Sequence, residues 1–334
     1  MFLLFEINFY EDNFQTERFI MKRVVSGIIG FLIAVSVIFF PVNIPLTCLV
    51  GVLAVLGLCE LYKNIQSMKI YPIWWLGIVT CIFFVVGSAF KSTYELARPL
   101  VEPEIEKINS FIYINGFSFR IPNGTENLDI MPLFPVIITA LIFLGFLVEF
   151  FRKDRSPVKN IGATLFGVIY VGWLICHLVS LRCLNGTASL FGHETALGSV
   201  LVMFTVICTC GTDTFAYFVG KKFGKHKIAP KSSPNKTWEG SVGGWIACVV
   251  LGTGWGVLCG LPLAHMIIMS AFCGVISQLG DLTESSIKRE MGIKDFSNLI
   301  PGHGGILDRL DSLLFTGPFV YYYVITFMSD LIIG

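Results

Sequence analysis

The chain has 334 residues, of which 54% are hydrophobic and only 14% are charged, and its mean hydropathy is +0.74. A soluble domain typically carries about 25% charged residues, so this composition excludes an ordinary soluble protein. The formal net charge of +1 gives no information about partners, because the distribution of charge along the chain matters more than its sum.

The first twenty residues differ from a signal peptide. Glu6, Glu11 and Glu17 interrupt any apolar core, and a basic leading region is missing. Residues 1–20 are therefore predicted to be a dispensable extension ahead of Met21, or the product of a mis-set start codon.

The rest of the chain is predicted to be an all-α polytopic membrane protein. A helix needs roughly 20 apolar residues to cross about 30 Å of hydrocarbon. By this criterion the predicted spans number nine: 24–40, 46–62, 71–90, 131–151, 161–181, 197–220, 241–262, 264–282 and 306–328.

The distribution of basic residues among the loops predicts the orientation. With nine spans, nineteen of the 24 Lys and Arg residues fall on one side of the membrane and five on the other. The basic side is cytosolic by the positive-inside rule, so the amino terminus is predicted to be cytosolic and the carboxyl terminus outside. The prediction divides the chain into membrane spans in 21–196, with an outer loop at 91–130, and a catalytic region in 197–334. The catalytic region has cytosolic loops at 221–240 and 283–305.

Acidic residues inside membrane spans are costly and mark candidate functional sites. Asp213 lies seven residues inside the sixth predicted span. At the cytosolic end of the eighth span, Asp281, Glu284, Ser285 and Lys288 recur at i, i+3, i+4 and i+7, which places them on one helical face.

The ninth span begins with a similar acidic pair, Asp308 and Asp311, on the same side of the membrane. Carboxylates gathered in a partly dry site repel one another unless a cation or proton intervenes. Oxygen ligands favour a hard cation such as Mg²⁺ over zinc. The alternative is that these four acids form helix-end salt bridges with Lys288, Arg289 and Arg309.

Two cytosolic loops carry groups suited to phosphate binding. In the loop 221–240 the six lysines alternate with neutral hydrogen-bonding residues, which are Ser232, Ser233, Asn235 and Thr237 beside Lys236. This mixture suits a polyphosphate, although the lysines alone also fit a segment that lies against anionic lipid. The loop 294–305 places flexible glycines around His303, which could bring backbone amides close to phosphate oxygens.

The run from Ser285 to Asp311, SSIKREMGIKDFSNLIPGHGGILDRLD, resembles the signature of the phosphatidate cytidylyltransferases, also called CDP-diacylglycerol synthases. The segments GTDTFAYFVGKKFGKHKIAPKSSPNKTWEGSVGG and SQLGDLTES are similar to two preceding segments of that family. The resemblance covers about 211–312, whereas the first 200 residues share only a hydrophobic, multi-span character.

The resemblance implies transfer of CMP from CTP to phosphatidic acid, with CDP-diacylglycerol and pyrophosphate as products. It implies Mg²⁺ as cofactor, with a second cation left open. The implied catalytic residues are Asp281, Asp308, Asp311, Lys288 and Arg309, and the implied metal ligands are Asp281, Asp308, Asp311 and Glu284. The implied substrate-binding residues are Ser232, Ser233, Asn235, Lys236, Thr237, Arg289, Lys294, His303 and Asp213.

Expected partners are CTP, phosphatidic acid and membrane lipid, with no nucleic acid and with a homodimer left open. The expected location is the bacterial inner membrane, with the active site facing the cytosol. A CTP-dependent polyprenol kinase is the nearest alternative, since it shares the nucleotide and the membrane. An ion-coupled transporter is less favoured, because the acids cluster at one face and no internal repeat is visible.

Overall fold

The computed structural model describes Gly27 and residues 29–89, 133–153, 156–299, 304–328 and 331. Within these ranges the chain is a multi-pass α-helical membrane protein. Its first helices are α1 (Ile29–Ile38), α2 (Ile44–Ser67), α3 (Trp74–Ala89), α4 (Leu133–Phe151), α5 (Pro157–Gly167) and α6 (Leu174–Arg182). They are followed by α7 (Leu197–Phe223), α8 (Trp238–Leu258), α9 (Leu263–Glu290) and α10 (Leu307–Phe327).

Among the described residues, six helical runs are long and apolar enough to cross a membrane. One of them joins α5 and α6 through a π-helical turn at Val168–Trp173, so that helix continues from Pro157 to Arg182. Every predicted span overlaps a described helix, but α1, α3 and α10 fall outside the six. The all-helical, multi-pass prediction is therefore confirmed, whereas only six of the nine predicted spans meet the criterion.

Two short hairpins, absent from the all-helical prediction, interrupt the helical pattern in the described ranges. Strands β1 (Thr187–Leu190) and β2 (His193–Ala196) pair antiparallel between α6 and α7. Strands β3 (Lys227–Ala229) and β4 (Ser233–Thr237) pair antiparallel between α7 and α8. The second hairpin gives a fixed shape to most of the predicted 221–240 loop.

Helix α9 is longer than its predicted span. Its 28 residues give a length of about 42 Å at 1.5 Å per residue, against roughly 30 Å of hydrocarbon. The additional helical residues lie at its charged end, in SSIKRE, which falls within the predicted 283–305 loop. The non-helical part of that loop therefore begins after Glu290.

The chain divides into two compact units, each described separately. One unit comprises residues 41–202, 258–261 and 317–334. Within it the fully buried Tyr62 packs edge-on against Trp74, with ring centroids 5.9 Å apart, and donates a 2.7 Å hydrogen bond to the Thr164 carbonyl. The Glu149 carboxylate, also buried, accepts hydrogen bonds from Asn160 Nδ2 and Arg152 Nη1. The buried Glu149 carboxylate thus has its partners inside the protein.

The other unit, which contains residues 203–257 and 262–316, depends on glycine for close helix packing. A Cβ at Gly244 would lie 2.6 Å from the Thr212 carbonyl oxygen of α7. A Cβ at Gly280 of α9 would lie 2.8 Å from the Asp311 carbonyl oxygen of α10. Small residues let membrane helices approach closely where large ones would not. The contact at Gly280 brings the acidic ends of α9 and α10 together.

Candidate active site

A cavity of about 650 Å³ opens among α7, the β3–β4 hairpin, the start of α8 and the charged end of α9. Its wall on α7 is one helical face, since Asp213, Tyr217 and Gly220 follow one another at intervals of four and three residues. The other lining residues that matter here are Ser233, Asn235, Lys236, Thr237, Ser241, Gln278 and Asp281. The cavity therefore combines lysines with carboxylates, as a site for a phosphate and a cation would.

Lys236 and Asp281 form an ion pair across this cavity. Lys236 comes from β4 and Asp281 from α9, and both side chains are about one-quarter exposed, at 28% and 27%. Asp213, on the opposite α7 wall, interacts electrostatically with Asp281, Asp311, Lys236 and Arg309. The cavity thus contains two carboxylates from different helices, and Lys236 is the basic group beside them.

A second ionic cluster lies between α9 and α10. The Lys288 ammonium donates a 2.8 Å hydrogen bond to Glu284 Oε1 and another of 2.8 Å to Asp308 Oδ1. Glu284 is fully buried, and its Oε2 accepts no hydrogen bond within the described ranges. One lysine therefore donates to two buried carboxylates, while Glu284 Oε2 accepts no hydrogen bond within the described ranges.

Asp308 also accepts hydrogen bonds from the backbone of the segment that joins α9 to α10. Its Oδ2 accepts hydrogen bonds from the backbone amides of Phe296, at 2.9 Å, and Gly305, at 2.8 Å. Gly304 has a positive φ of 83°, and a Cβ there would lie 3.0 Å from Asp308 Oδ2. Glycine is therefore required next to this carboxylate, both for the backbone conformation and for space. Asp308 therefore links the backbone at Phe296 and at Gly305 to the start of α10.

The base of the β3–β4 hairpin is fixed by groups from the start of α8. The Thr237 hydroxyl accepts a 3.2 Å hydrogen bond from the Gly240 amide, which is the usual pattern of a helix N-cap. The Glu239 carboxylate accepts hydrogen bonds from the backbone amides of Lys225 and His226, and from His226 Nδ1. These bonds set the position of β4, and with it that of Lys236.

Comparison with known proteins identifies the family. The profile of the cytidylyltransferase family matches residues 67–327. The chain belongs to this family. A phosphatidate cytidylyltransferase of Bacillus subtilis is 35% identical over 219 residues, which are 65% of this chain and 75% of that protein. One of Brucella suis is 37% identical over 261 residues, 75% of this chain and 86% of that protein. One of Haemophilus influenzae is 46% identical over 139 residues, 40% of this chain and 48% of that protein.

The structure brings some of the predicted site residues of this family member together and not others. Six of them line the cavity: Asp213, Ser233, Asn235, Lys236, Thr237 and Asp281. Glu284, Lys288 and Asp308 form the second cluster, and Asp311 interacts electrostatically with Glu284 and Asp281. Arg309 is exposed on α10 and interacts with Asp213. His303 lies outside the described residues.

Three predicted phosphate-binding residues are placed differently from the expectation. Ser232 forms part of the hairpin turn and is not among the residues that line the cavity. Arg289 donates to two backbone carbonyls. Lys294 is exposed in the segment after α9 and does not line the cavity. A loop sequence alone does not show which polar side chains turn toward the site.

The sequence interpretation also missed residues that shape the site. Tyr217 and Gly220 share the α7 face of Asp213, and this helical spacing could have identified them. Glu239 could have been found as an acidic residue in the first turn of a helix that follows a threonine cap. The hydrogen bond from Ser241 to Gln278 joins α8 to α9, and no local sequence pattern predicts it.

The four acidic side chains have the right atoms for a hard cation, but they are not arranged around a common point. Asp281, Asp308, Asp311 and Glu284 offer only oxygen atoms, which Mg²⁺ prefers, and Glu284 Oε2 is buried without a hydrogen bond within the described ranges. However, no group of three or more His, Cys, Asp or Glu side chains in those ranges is arranged to hold a metal ion. Lys236 and Lys288 instead contact the carboxylates. Of the salt bridges expected as the alternative, those of Lys288 are present at Glu284 and Asp308. Asp281 pairs instead with Lys236, which that alternative did not include.

Proposed function

We propose that this protein transfers CMP from CTP to phosphatidic acid. An oxygen of the lipid phosphate bonds to the α-phosphorus of CTP, the bond from that phosphorus to the β-phosphate oxygen breaks, and pyrophosphate leaves with the electron pair. The product is CDP-diacylglycerol. The observation that carries the proposal is the cavity where Lys236, Asp281 and Asp213 meet, in a chain that belongs to the cytidylyltransferase family.

The main obstacle to this reaction is electrostatic. A phosphate monoester has a second pKa near about 6, as in phosphoserine, so the lipid phosphate is already anionic at neutral pH and needs no strong general base. What the site must do is bring that anion up to a triphosphate and position it in line. Lys236, half-buried on the cavity wall, is placed to bind a phosphate oxygen once it leaves Asp281.

In this proposal Asp281 and Asp308 would hold Mg²⁺, with Asp311 and Glu284 as supporting ligands. The two oxygens of Asp308 together accept three hydrogen bonds, one on Oδ1 and two on Oδ2. Since a carboxylate has about four acceptor positions, one on Oδ1 is left for a cation. When bound, the cation neutralises phosphate charge and stabilises the leaving pyrophosphate. Displacement of Lys236 and Lys288 from the carboxylates would free two ammonium groups for the substrates.

Label transfer from CTP tests the proposed reaction directly. With purified protein, Mg²⁺ and phosphatidic acid, we expect ³²P from the α-position of CTP to enter the lipid and ³²P from the γ-position to leave as pyrophosphate. A lipid kinase would give the opposite pattern, with γ-label in the lipid. Absence of label in the lipid from a folded, detergent-stable preparation supplied with several lipids and divalent ions would reject the transferase assignment.

The proposed topology has nine crossings, with the amino terminus and the active site on the cytosolic side of a bacterial inner membrane. It is supported by the excess of Lys and Arg in one set of loops, nineteen against five. It would give the cavity access to cellular CTP, while the lipid substrate remains in the membrane.

Cysteines at the tips of the two hairpins test this topology. Lys231 lies in the β3–β4 turn and Glu194 in the β1–β2 hairpin, and both are exposed. We expect Lys231→Cys to react with a membrane-impermeant maleimide only when the cytosolic side is accessible, and Glu194→Cys to react from outside. The unsubstituted protein serves as control for its native cysteines. Reaction of both positions from the same side would contradict the proposed topology.

A further inference from the structure

Arg289, in the last turn of α9, binds protein backbone. Its Nε donates a 3.1 Å hydrogen bond to the Ser232 carbonyl in the β3–β4 turn. Its Nη1 donates another, also of 3.1 Å, to the Ile293 carbonyl in the segment after α9. One guanidinium thus joins two segments that are more than fifty residues apart in the chain. A planar guanidinium with several fixed donors suits such a fork, whereas an ammonium is a single point of attachment.

A second contact supports the same attachment one turn earlier on α9. The hydroxyl oxygens of Ser286 and Ser232 lie 3.1 Å apart, within hydrogen-bonding distance. Both contacts involve Ser232, which directly precedes β4, and β4 carries Ser233, Asn235 and Lys236 into the cavity. The turn of the hairpin is therefore fastened to α9, while its base is fastened by Glu239.

We propose that Arg289 is a positioning residue, which fastens the β3–β4 hairpin to α9 so that Lys236 lies opposite Asp281. This assignment replaces the expectation that Arg289 binds a substrate phosphate, and its kinetic part rests on the proposed cytidylyl transfer. Arg289 is not among the residues that line the cavity. Two of its donors already point at carbonyl oxygens of the protein.

A fastening role and a phosphate-binding role predict different responses to charge. If Arg289 fastens the hairpin, Arg289→Lys and Arg289→Gln should be impaired alike, because neither side chain can bridge the Ser232 and Ile293 carbonyls. Loss of the two hydrogen bonds should lower kcat/KM for CTP about three- to tenfold in both variants. If Arg289 binds phosphate, the lysine variant should keep much of the activity that the neutral glutamine variant loses. Glu290→Gln, an exposed neighbour on the same turn, is the matched control.

A disulfide between positions 286 and 232 can attach the β3–β4 hairpin to α9 without the positive charge of Arg289. The test compares Arg289→Gln with the same variant carrying Ser232→Cys and Ser286→Cys, each assayed oxidised and after reduction. We expect oxidation to restore at least half of the lost kcat/KM, and reduction to remove the gain. Single-cysteine variants control for effects of oxidation on the native thiols. Failure of the crosslinked protein to recover, or failure of the crosslink to form, would overturn the proposal.

Proteolysis provides a measurement that does not depend on catalysis. Lys231 is exposed in the hairpin turn, so a loosened hairpin should be cut there by trypsin several times faster in Arg289→Gln than in the unsubstituted protein. The oxidised crosslink should slow that cleavage again. Unchanged cleavage together with weaker CTP binding would assign Arg289 to the substrate instead. If cytidylyl transfer itself were absent, the cleavage and crosslinking results would still decide the role of Arg289.

Discussion

Asparagine in place of Asp281 is expected to lower turnover by about 100-fold or more, because the substitution removes a charge from the wall of the reaction cavity. Asp281 lines that cavity and pairs with Lys236. The pair is partly exposed, so its loss should lower the free energy of unfolding by less than about 1 kcal/mol. The measurement is a Mg²⁺ titration of turnover beside the melting temperature of the same detergent preparation. Asp281→Asn should melt close to the unsubstituted protein and still fail to turn over.

Asp308→Asn is the matched comparison, and it should behave differently. The new amide would place an NH₂ group against either the Lys288 ammonium or the backbone amides of Phe296 and Gly305, all of which are donors. Both turnover and melting temperature should therefore fall. Asp311→Asn should be milder than either if Asp311 is a supporting ligand. Near-normal turnover in both Asp281→Asn and Asp308→Asn, at every Mg²⁺ concentration, would refute the metal-site proposal even if the overall function stood.

The parts of the site that follow from local periodicity could be predicted from sequence. The i, i+4 spacing of Glu284 and Lys288 predicts a shared helical face, and the structure shows a 2.8 Å hydrogen bond between them. Each of the nine apolar stretches likewise overlaps a helix in the described ranges. These features depend on residues within a turn or two of one another, so a single sequence contains them.

The parts that depend on tertiary contacts could not be predicted in this way. Asp281 and Asp308 look equivalent in sequence, yet one faces the cavity while the other fastens a loop. The difference arises because the backbone amides of Phe296 and Gly305 both donate to Asp308, and helical periodicity does not predict that contact. The resemblance implies a phosphate-binding role for Arg289, but in the structure its partners are the carbonyls of Ser232, in the hairpin turn, and Ile293, after α9.

Replacing Lys288 by methionine is expected to produce the largest loss of stability. The lysine side chain is 13% exposed, and the two carboxylates that it bonds, Glu284 and Asp308, are 0% and 2% exposed. Methionine keeps most of the aliphatic volume but leaves two buried carboxylates without their cation. Breaking a buried ionic cluster in this way costs about 3–5 kcal/mol, because an uncompensated charge remains in a poorly solvated place. The measurement is the unfolding midpoint in detergent, with Arg289→Met as the matched neighbour, whose exposed side chain should cost far less.

A double variant separates the buried charge from the volume of the side chain. Glu284→Gln removes one of the two carboxylates that Lys288 neutralises, and the fully buried glutamine is close in shape to glutamate. Lys288→Met combined with Glu284→Gln should therefore be more stable than Lys288→Met alone, since only Asp308 remains uncompensated and two backbone amides still bond it. If Lys288→Met unfolds at the same midpoint as the unsubstituted protein, Lys288 does not hold α9 against α10.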